Sequence, residues 1–240
     1  MAVDKRFDEK GYKRVSRREI LKLSPMIAAA AFAIPSSRDY LLGRGVAFTD
    51  WAAGRLFRKD HLASTYPDSA LTPLNRFPFN SYDTDTPDID PDWSLEVSGL
   101  VRKPGNYTLD DIRRLPKITQ NTRHICIEGW DLVANFAGAR FSDFLNLIGG
   151  DTRARFVYVE CADDYYETLD METALHPQSL VCYEMYGQPL AAGHGAPLRL
   201  SLPTKIGYKS AKYLTSLKVT NVVTQQSYWG DQGYSWYAGI

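Results

Sequence analysis

Cysteine is scarce in this chain, and the three present, Cys126, Cys161 and Cys182, are an odd number. So sparse a set excludes the disulfide framework that staples small secreted domains, and leaves at least one thiol free or bound to something. No Cys-x-x-Cys-His haem-attachment pattern and no cysteine cluster of iron–sulfur type occurs. An excess of charge of either sign is also missing. The 28 basic and 28 acidic residues balance, which argues against a nucleic-acid binder. There are no internal repeats, no low-complexity tracts and no glycine-rich loop of the nucleotide-binding type.

What is present suffices for a substantial core: 44% hydrophobic residues and 15 tyrosines in 240 residues, enough for one domain or at most two small ones. The charge balance hides an asymmetry. Residues 1–18 carry seven basic and three acidic side chains, so the rest of the chain is mildly acidic. Within that basic head, Ser16-Arg17-Arg18-Glu19-Ile20-Leu21-Lys22 resembles a twin-arginine export motif. A charge-free, alanine-rich stretch follows from Leu23 to Ser37, shorter than the roughly 20 residues needed to span a bilayer. It suits a signal segment with Ala31-Phe32-Ala33 as a cleavage site, though an ordinary alanine-rich helix and an uncleaved membrane anchor also fit. The expected organisation is a twin-arginine signal over 1–37, a lead-in over 38–70 and one domain over 71–240, with a periplasmic location.

Patterning predicts many short strands and few helices. A helix is expected around Asp50–Leu62, and an exposed loop over Asn80–Pro91, where Asp83, Asp85, Asp88 and Asp90 alternate with turn residues. Alternation at Trp93, Leu95 and Val97 starts a strand. Thr108 and Asp111 form an acidic capping box for a helix stopped by Pro116. Ser142 can cap a helix that ends at Gly149-Gly150, and Asp170 a short helix through Leu175. Further strands are expected at 121–127, 156–159, 180–183, 198–202 and 213–219. The fold class is α+β, sheet-dominated and mixed, with short inserted helices, rather than a doubly wound parallel sheet.

Three stretches could carry chemistry. In Arg123-His124-Ile125-Cys126-Ile127-Glu128-Gly129-Trp130, a cysteine ends an apolar strand beside basic residues that would favour its thiolate, the form that binds metal or attacks electrophiles. A lone cysteine is also commonly a small buried hydrophobe. In Gly193-His194-Gly195-Ala196-Pro197-Leu198-Arg199-Leu200, two glycines flank a histidine and a strand presents Arg199. In Lys205-Ile206-Gly207-Tyr208-Lys209-Ser210-Ala211-Lys212, a glycine among three lysines suits an anion site, or simply a turn with solvated lysines.

Taken together with Leu74-Asn75-Arg76-Phe77-Pro78-Phe79 and Phe156-Val157-Tyr158-Val159-Glu160-Cys161, these stretches resemble, in order and spacing, the molybdopterin domain of the sulfite-oxidase family, most closely its periplasmic protein-methionine-sulfoxide reductase branch. The resemblance covers about residues 71–237. It implies the molybdopterin-binding fold of that family and a molybdenum–molybdopterin cofactor. Cys126 stands at the position of the metal's thiolate ligand, with Glu128 near the metal's open side. Asn75, Pro78 and Phe79 stand where the family's N-terminal loop meets the cofactor. Arg123 is a further expected cofactor contact. Cys161 stands where the reductase branch has Thr and would contact the pterin through its backbone, and His194 replaces an Asn of that branch while keeping its hydrogen-bonding capacity. Arg199, Ser210, Ala211 and Lys212 match the phosphate cradle.

The implied activity is two-electron oxygen-atom transfer, reducing an S-oxide or N-oxide, small or protein-bound. Electrons would come from a membrane haem subunit or cytochrome. The chain departs from the reductase branch at Ile125, where that branch has Arg, and at Gly129, where it has Ala. Trp130, Tyr165, Tyr166, Trp229 and Tyr234 are candidate pocket walls. Sulfite oxidation on the same cofactor is the alternative within the family. A cofactor-free Cys126 hydrolase and a non-catalytic exported binding module are the alternatives outside it.

Overall fold

In the computed structural model, residues 44–52, 61–80, 86–223 and 225–240 are described. The chain divides into two compact units, Met1–Phe48 and Thr49–Ile240. Of the first only residues 44–48 are described, and they are helical. The twin-arginine stretch and Leu23–Ser37 lie outside the described residues, as do most of the expected Asp50–Leu62 helix and the 81–85 part of the acidic loop.

The second unit is built on two sheets. The first has strand order β2-β1-β10-β5-β6. Its members are β1 (Leu95–Gly99), β2 (Gly105–Tyr107), β5 (Phe156–Cys161), β6 (Tyr166–Asp170) and β10 (Leu214–Thr220). The β1–β10 pair is parallel and the other pairs are antiparallel, so the sheet is mixed. The second sheet is antiparallel, in the order β3-β4-β7-β8 with β9 also on β7. It contains β3 (Lys117–Ile125), β4 (Asp131–Arg140), β7 (Leu180–Met185), β8 (Gln188–Pro189) and β9 (Arg199–Ser201). The expected sheet-dominated α+β architecture is therefore present.

Helices are short and locally specified. In α1 (Leu109–Arg113), Thr108 Oγ1 accepts from the Asp111 amide while the Asp111 carboxylate accepts from the Thr108 amide, the capping box read from the sequence. The helix α2 (Phe141–Ile148) starts one residue earlier than its expected cap. Arg140 is the N-cap, with no side-chain bond, and Ser142 lies inside the first turn. Its Phe141, Phe144, Leu145 and Ile148 recur at helical spacing and are fully buried, each contributing roughly 1.5–3 kcal/mol by area removed from water. Asp170 caps α3 (Met171–Leu175) by accepting from the Thr173 amide at 2.7 Å. Ser227 caps α4 (Tyr228–Asp231) through the Gly230 amide.

Between β4 and β7 the backbones approach so closely that a Cβ at Gly138 would stand 2.1 Å from the Val181 carbonyl oxygen. Only glycine fits there, beside the register shift between Ala137 and Gly138. The large core packs α2 and α3 against the first sheet and the inner faces of β7 and β9. A smaller cluster gathers Phe77, Leu132, Ala134, Phe136, Leu180 and Met185. This arrangement brings several loops to one place: the β3–β4 turn, the 76–80 loop, the 192–195 turn, the β5–β6 turn and the segment before β10.

Candidate active site

The turn that ends the long β3–β4 hairpin is tight. The Cys126 amide donates to the Trp130 carbonyl at 2.9 Å, and the Gly129 amide, at φ +92°, donates back to the Cys126 carbonyl at 3.2 Å. The hairpin register from Lys117↔Ala139 to Ile125↔Asp131 fixes where that turn falls. Cys126 therefore stands just beyond the strand end, half-buried, and opens onto a cleft. Burial pushes the other two thiols up, Cys182 to about 12. Both sit in the core, inert by the same reasoning that makes Cys126 available.

Beside Cys126 lies the carboxylate of Glu128. It accepts from the Asn80 side-chain amide at 2.8 Å and from the Trp130 indole N–H at 3.0 Å, with the Cys126 Sγ at 3.9 Å. The Trp130 bond, then the Asn80 bond, hold it below the usual carboxylate range, so it is an anion. The Asn80 amide also reaches the Cys126 Sγ at 3.7 Å, and the Asn80 carbonyl accepts from Lys212 Nζ at 2.7 Å. One loop residue thus ties the cysteine side of the cleft to its basic side.

The basic side is made of Arg199, Lys212 and the backbone around Ser210. Arg199 is 4% exposed, and among the described residues its guanidinium donates to the carbonyls of Leu200, His194 and Ser210. Lys212 donates to the Asn80 and Gly193 carbonyls and the Tyr213 hydroxyl. Among the described residues neither cation has a carboxylate partner, and the amides of Ala211 and Lys212 have no acceptor. Burial, then Arg199, pushes Lys212 down to about 8, and burial pushes Arg199 to about 10. His124 and His194 are held neutral, at about 3 and 4, by burial and then by Arg199. A buried guanidinium, a half-buried ammonium, two backbone amides and two neutral imidazoles form a site suited to an anion, with Asp163 acting on Lys212 only at longer range than an ion pair. Phe77 stands edge-on to His194 at 5.0 Å and sets that ring's orientation.

The structure brings Cys126, Glu128, Pro78, His194, Arg199, Ser210, Ala211 and Lys212 to this one cleft, with Trp130, Tyr165 and Trp229 as walls. It does not bring the others. Arg123 lies on the exposed face of β3 and pairs with Asp131. Because His124 is neutral, neither basic neighbour places a positive charge beside Cys126, contrary to the expectation from sequence. The Cys161 amide and carbonyl are already used, by the Tyr165 carbonyl and the Asp164 amide. Its loop gives the cleft Asp163 and Tyr165 instead. Asn75 sits in an exposed 3₁₀ turn, and Phe79, 69% exposed, packs on His194 at 4.5 Å without lining the cleft. Tyr166 and Tyr234 are not cleft walls. Lys205 and Lys209 turn inward, away from the anion site, to Asp170 and Glu167. Phe77 and Asn80 are contributors that sequence reasoning missed, although both adjoin residues it had singled out.

A sequence model described as "oxidoreductase molybdopterin binding domain" matches residues 83–229. The chain belongs to this family. Its fold and its molybdenum–molybdopterin cofactor are those of molybdopterin oxidoreductases, and it is an enzyme of that class. It is 45% identical over 195 residues to YedZ1 of Azospira oryzae, a subunit named for protein-methionine-sulfoxide reductase, covering 80% of this chain and 73% of that one. It is 28% identical to the protein-methionine-sulfoxide reductase catalytic subunit MsrP of Ralstonia nicotianae, covering 72% of this chain and 64% of that one. The sulfane dehydrogenase SoxCD of Paracoccus pantotrophus shares the fold at a TM-score of 0.52 and 21% identity, over 59% of this chain and 40% of that chain.

Proposed function

We propose that this molybdopterin oxidoreductase is the catalytic protein of an exported system that reduces S-oxides or N-oxides by two-electron oxygen-atom transfer. One observation carries the reading. A single accessible thiol, with an anionic carboxylate beside it, shares a cleft with the buried Arg199, the half-buried Lys212 and backbone amides, none of them in ion-pair contact with a carboxylate among the described residues. The residues fit the cofactor. Cys126 supplies one soft thiolate, suited to a metal whose other sulfur ligands come from a pterin dithiolene. Arg199, Lys212 and the Ala211 and Lys212 amides would take its phosphate, and His124 and His194 offer neutral ring nitrogens for the pterin. Bound there, the cofactor would supply the two-electron redox couple for oxygen-atom transfer.

The chain's own groups do the rest. Reduction of an S-oxide to sulfide and water consumes two electrons and two protons. Glu128, exposed and fixed beside Cys126 by Asn80 and Trp130, is the group that would pass a proton from solvent to the substrate oxygen. Its negative charge and the aromatic walls favour a neutral S-oxide over a sulfite dianion. The names of YedZ1 and MsrP support protein-bound methionine sulfoxide as the substrate. The absence of haem and iron–sulfur motifs from the sequence supports a separate electron donor, such as a membrane haem subunit or cytochrome. Arg17-Arg18 and the Leu23–Ser37 stretch support twin-arginine export to the periplasm. Against a cofactor-free hydrolase, the Cys126 thiol meets Asn80 and Glu128 rather than an imidazole.

The test is a side-by-side assay of cofactor-loaded protein. With a low-potential donor, methionine sulfoxide, dimethyl sulfoxide or trimethylamine N-oxide should be reduced, and sulfite oxidation should be weak. Fast sulfite turnover without reduction of any of the three would place the protein among sulfite oxidisers.

A further inference from the structure

Behind the cleft wall lies an ion pair that the mechanism above does not use. Glu167 on β6 is 0% exposed and Lys209 is 2% exposed. Lys209 Nζ donates to Glu167 Oε1 at 2.5 Å and to the Thr168 carbonyl at 3.0 Å, and the Thr168 amide donates to the same carboxylate oxygen at 2.9 Å. The second carboxylate oxygen meets the Tyr165 hydroxyl at 3.5 Å, and that hydroxyl donates to the Tyr208 carbonyl at 2.8 Å. The Lys209 contacts to Glu167 and the Thr168 carbonyl, with the Tyr165 contact to the Tyr208 carbonyl, join the β6 region to the 3₁₀ turn Gly207–Lys209, which leads directly into Ser210, Ala211 and Lys212. Four residues earlier in the same segment, Lys205 approaches Asp170 at 3.8 Å and donates to the Tyr237 carbonyl at 3.0 Å.

A fully buried ion pair is weak evidence for stability, because desolvating two charges offsets their attraction. Replacing such a pair with apolar residues of similar volume is often neutral or stabilising. The other bonds of the segment lead elsewhere. The Leu200 amide on the Ala211 carbonyl and the Leu202 amide on Ser210 Oγ tie it to the β9 side, and the Ile206 amide on the Ala238 carbonyl and the Tyr208 hydroxyl on the Ser235 carbonyl tie it to the C-terminal residues. Toward β6 the pair is joined by the Tyr165–Tyr208 bond. The segment is a single 3₁₀ turn, and it passes His124 so closely that a Cβ at Gly207 would lie 2.7 Å from the ring nitrogen. The cleft residues Tyr208, Ser210, Ala211 and Lys212 sit on either side of Lys209.

We propose that Glu167 and Lys209 are positioning residues for the cofactor site. Their pair bolts the 206–212 segment to β6 and so pre-organises the anion cradle, without contributing net stability to the fold. The proposal rests on the assignment of that cradle to the cofactor's phosphate. Its energetic logic is a population effect. If removal of the bolt raises the population of the opened cradle in the holoprotein about tenfold, and the cofactor leaves from that opened state, release is about tenfold faster, whatever the intrinsic contacts.

The experiment compares purified holoprotein of the wild type, the apolar double variant E167L/K209M and the isosteric variant E167Q. Two quantities are read: the unfolding midpoint, and the rate of pterin release well below that midpoint, followed by fluorescence of the oxidised pterin. The expected result is a double variant with an unfolding midpoint equal to or above the wild type and pterin release about tenfold faster or more. E167Q, which keeps the side-chain volume, should lie between the two in release rate. A merely structural pair predicts that midpoint and retention fall together. Release at the wild-type rate from either variant, or faster release only in proportion to a lowered midpoint, overturns the proposal. Wild-type protein purified without any pterin would instead overturn the cofactor-site assignment, leaving the two failures distinguishable.

Discussion

Replacing Arg199 with methionine tests the anion site at its most buried point. Methionine keeps most of the side-chain volume against Phe136, whose ring lies 4.9 Å from the guanidinium carbon. It removes one positive charge and the donors to three carbonyls, those of Leu200, His194 and Ser210. Two consequences follow with opposite signs. Without cofactor, Lys212 loses the repulsion that, after burial, lowers it to about 8, so its pKa moves back toward that of an ordinary lysine. The carbonyls lose charge-assisted partners, a cost of about 1–3 kcal/mol for each group left without one. With cofactor, the loss is that of a buried charge-assisted contact to phosphate, about 2–5 kcal/mol. That corresponds to roughly 30-fold to several-thousandfold weaker retention. The assay is molybdenum and pterin content per chain after purification, followed by the release rate at fixed temperature. Arg199→Lys should recover part of the retention, because it restores the charge but not the planar fork. Full cofactor content and unchanged release in Arg199→Met would refute the phosphate assignment.

Two further outcomes are expected. His194 is 4% exposed, and burial with nearby Arg199 depresses it to about 4 from an unfolded value near 6.5. The unfolded chain therefore takes up the proton first as pH falls, and stability present above pH 6.5 is lost progressively down to pH 4, by up to about 3 kcal/mol in cofactor-free protein. Urea midpoints measured between pH 7 and 4.5 should fall less steeply in His194→Gln, and identical slopes would contradict the burial argument. Replacing Arg17 and Arg18 with lysine should hold the protein in the cytoplasm, since charge alone does not replace the guanidinium pair. Fractionation showing normal periplasmic accumulation would mean another export route.

The strands legible in the sequence were those with their own signal. The apolar run at Phe156–Val159 and the alternation at Leu95 and Val97 became β5 and β1. The strand β4 was missed, although it lies centrally in the second sheet. Its sequence, Asp131 to Arg140, is rich in alanine and includes a glycine, and its conformation is set by partners on both sides rather than by propensity. The strand β6 was missed because its buried Glu167 breaks the apolar pattern, and the lysine that justifies that burial is distant in sequence.

The same non-locality limited the reading of the site. The lysine run 205–212 looked uniform, yet only Lys212 faces the cleft, because Lys205 and Lys209 find acidic partners on β6. Cys126, Arg199 and Lys212 were legible because the family resemblance places them. Asn80 was not, because its role depends on a loop meeting a turn 46 residues away.

The central claim is that Cys126 is the chain's ligand to molybdenum. Cys126→Ala and the wild type should be purified in parallel with Cys161→Ala, and metal content, the electronic and paramagnetic spectra of the molybdenum, and S-oxide reduction compared. The account predicts about one molybdenum per chain in the wild type, with activity and the thiolate-dependent spectral features lost in Cys126→Ala and kept in Cys161→Ala. A Cys126→Ala protein with wild-type spectra and turnover would contradict it.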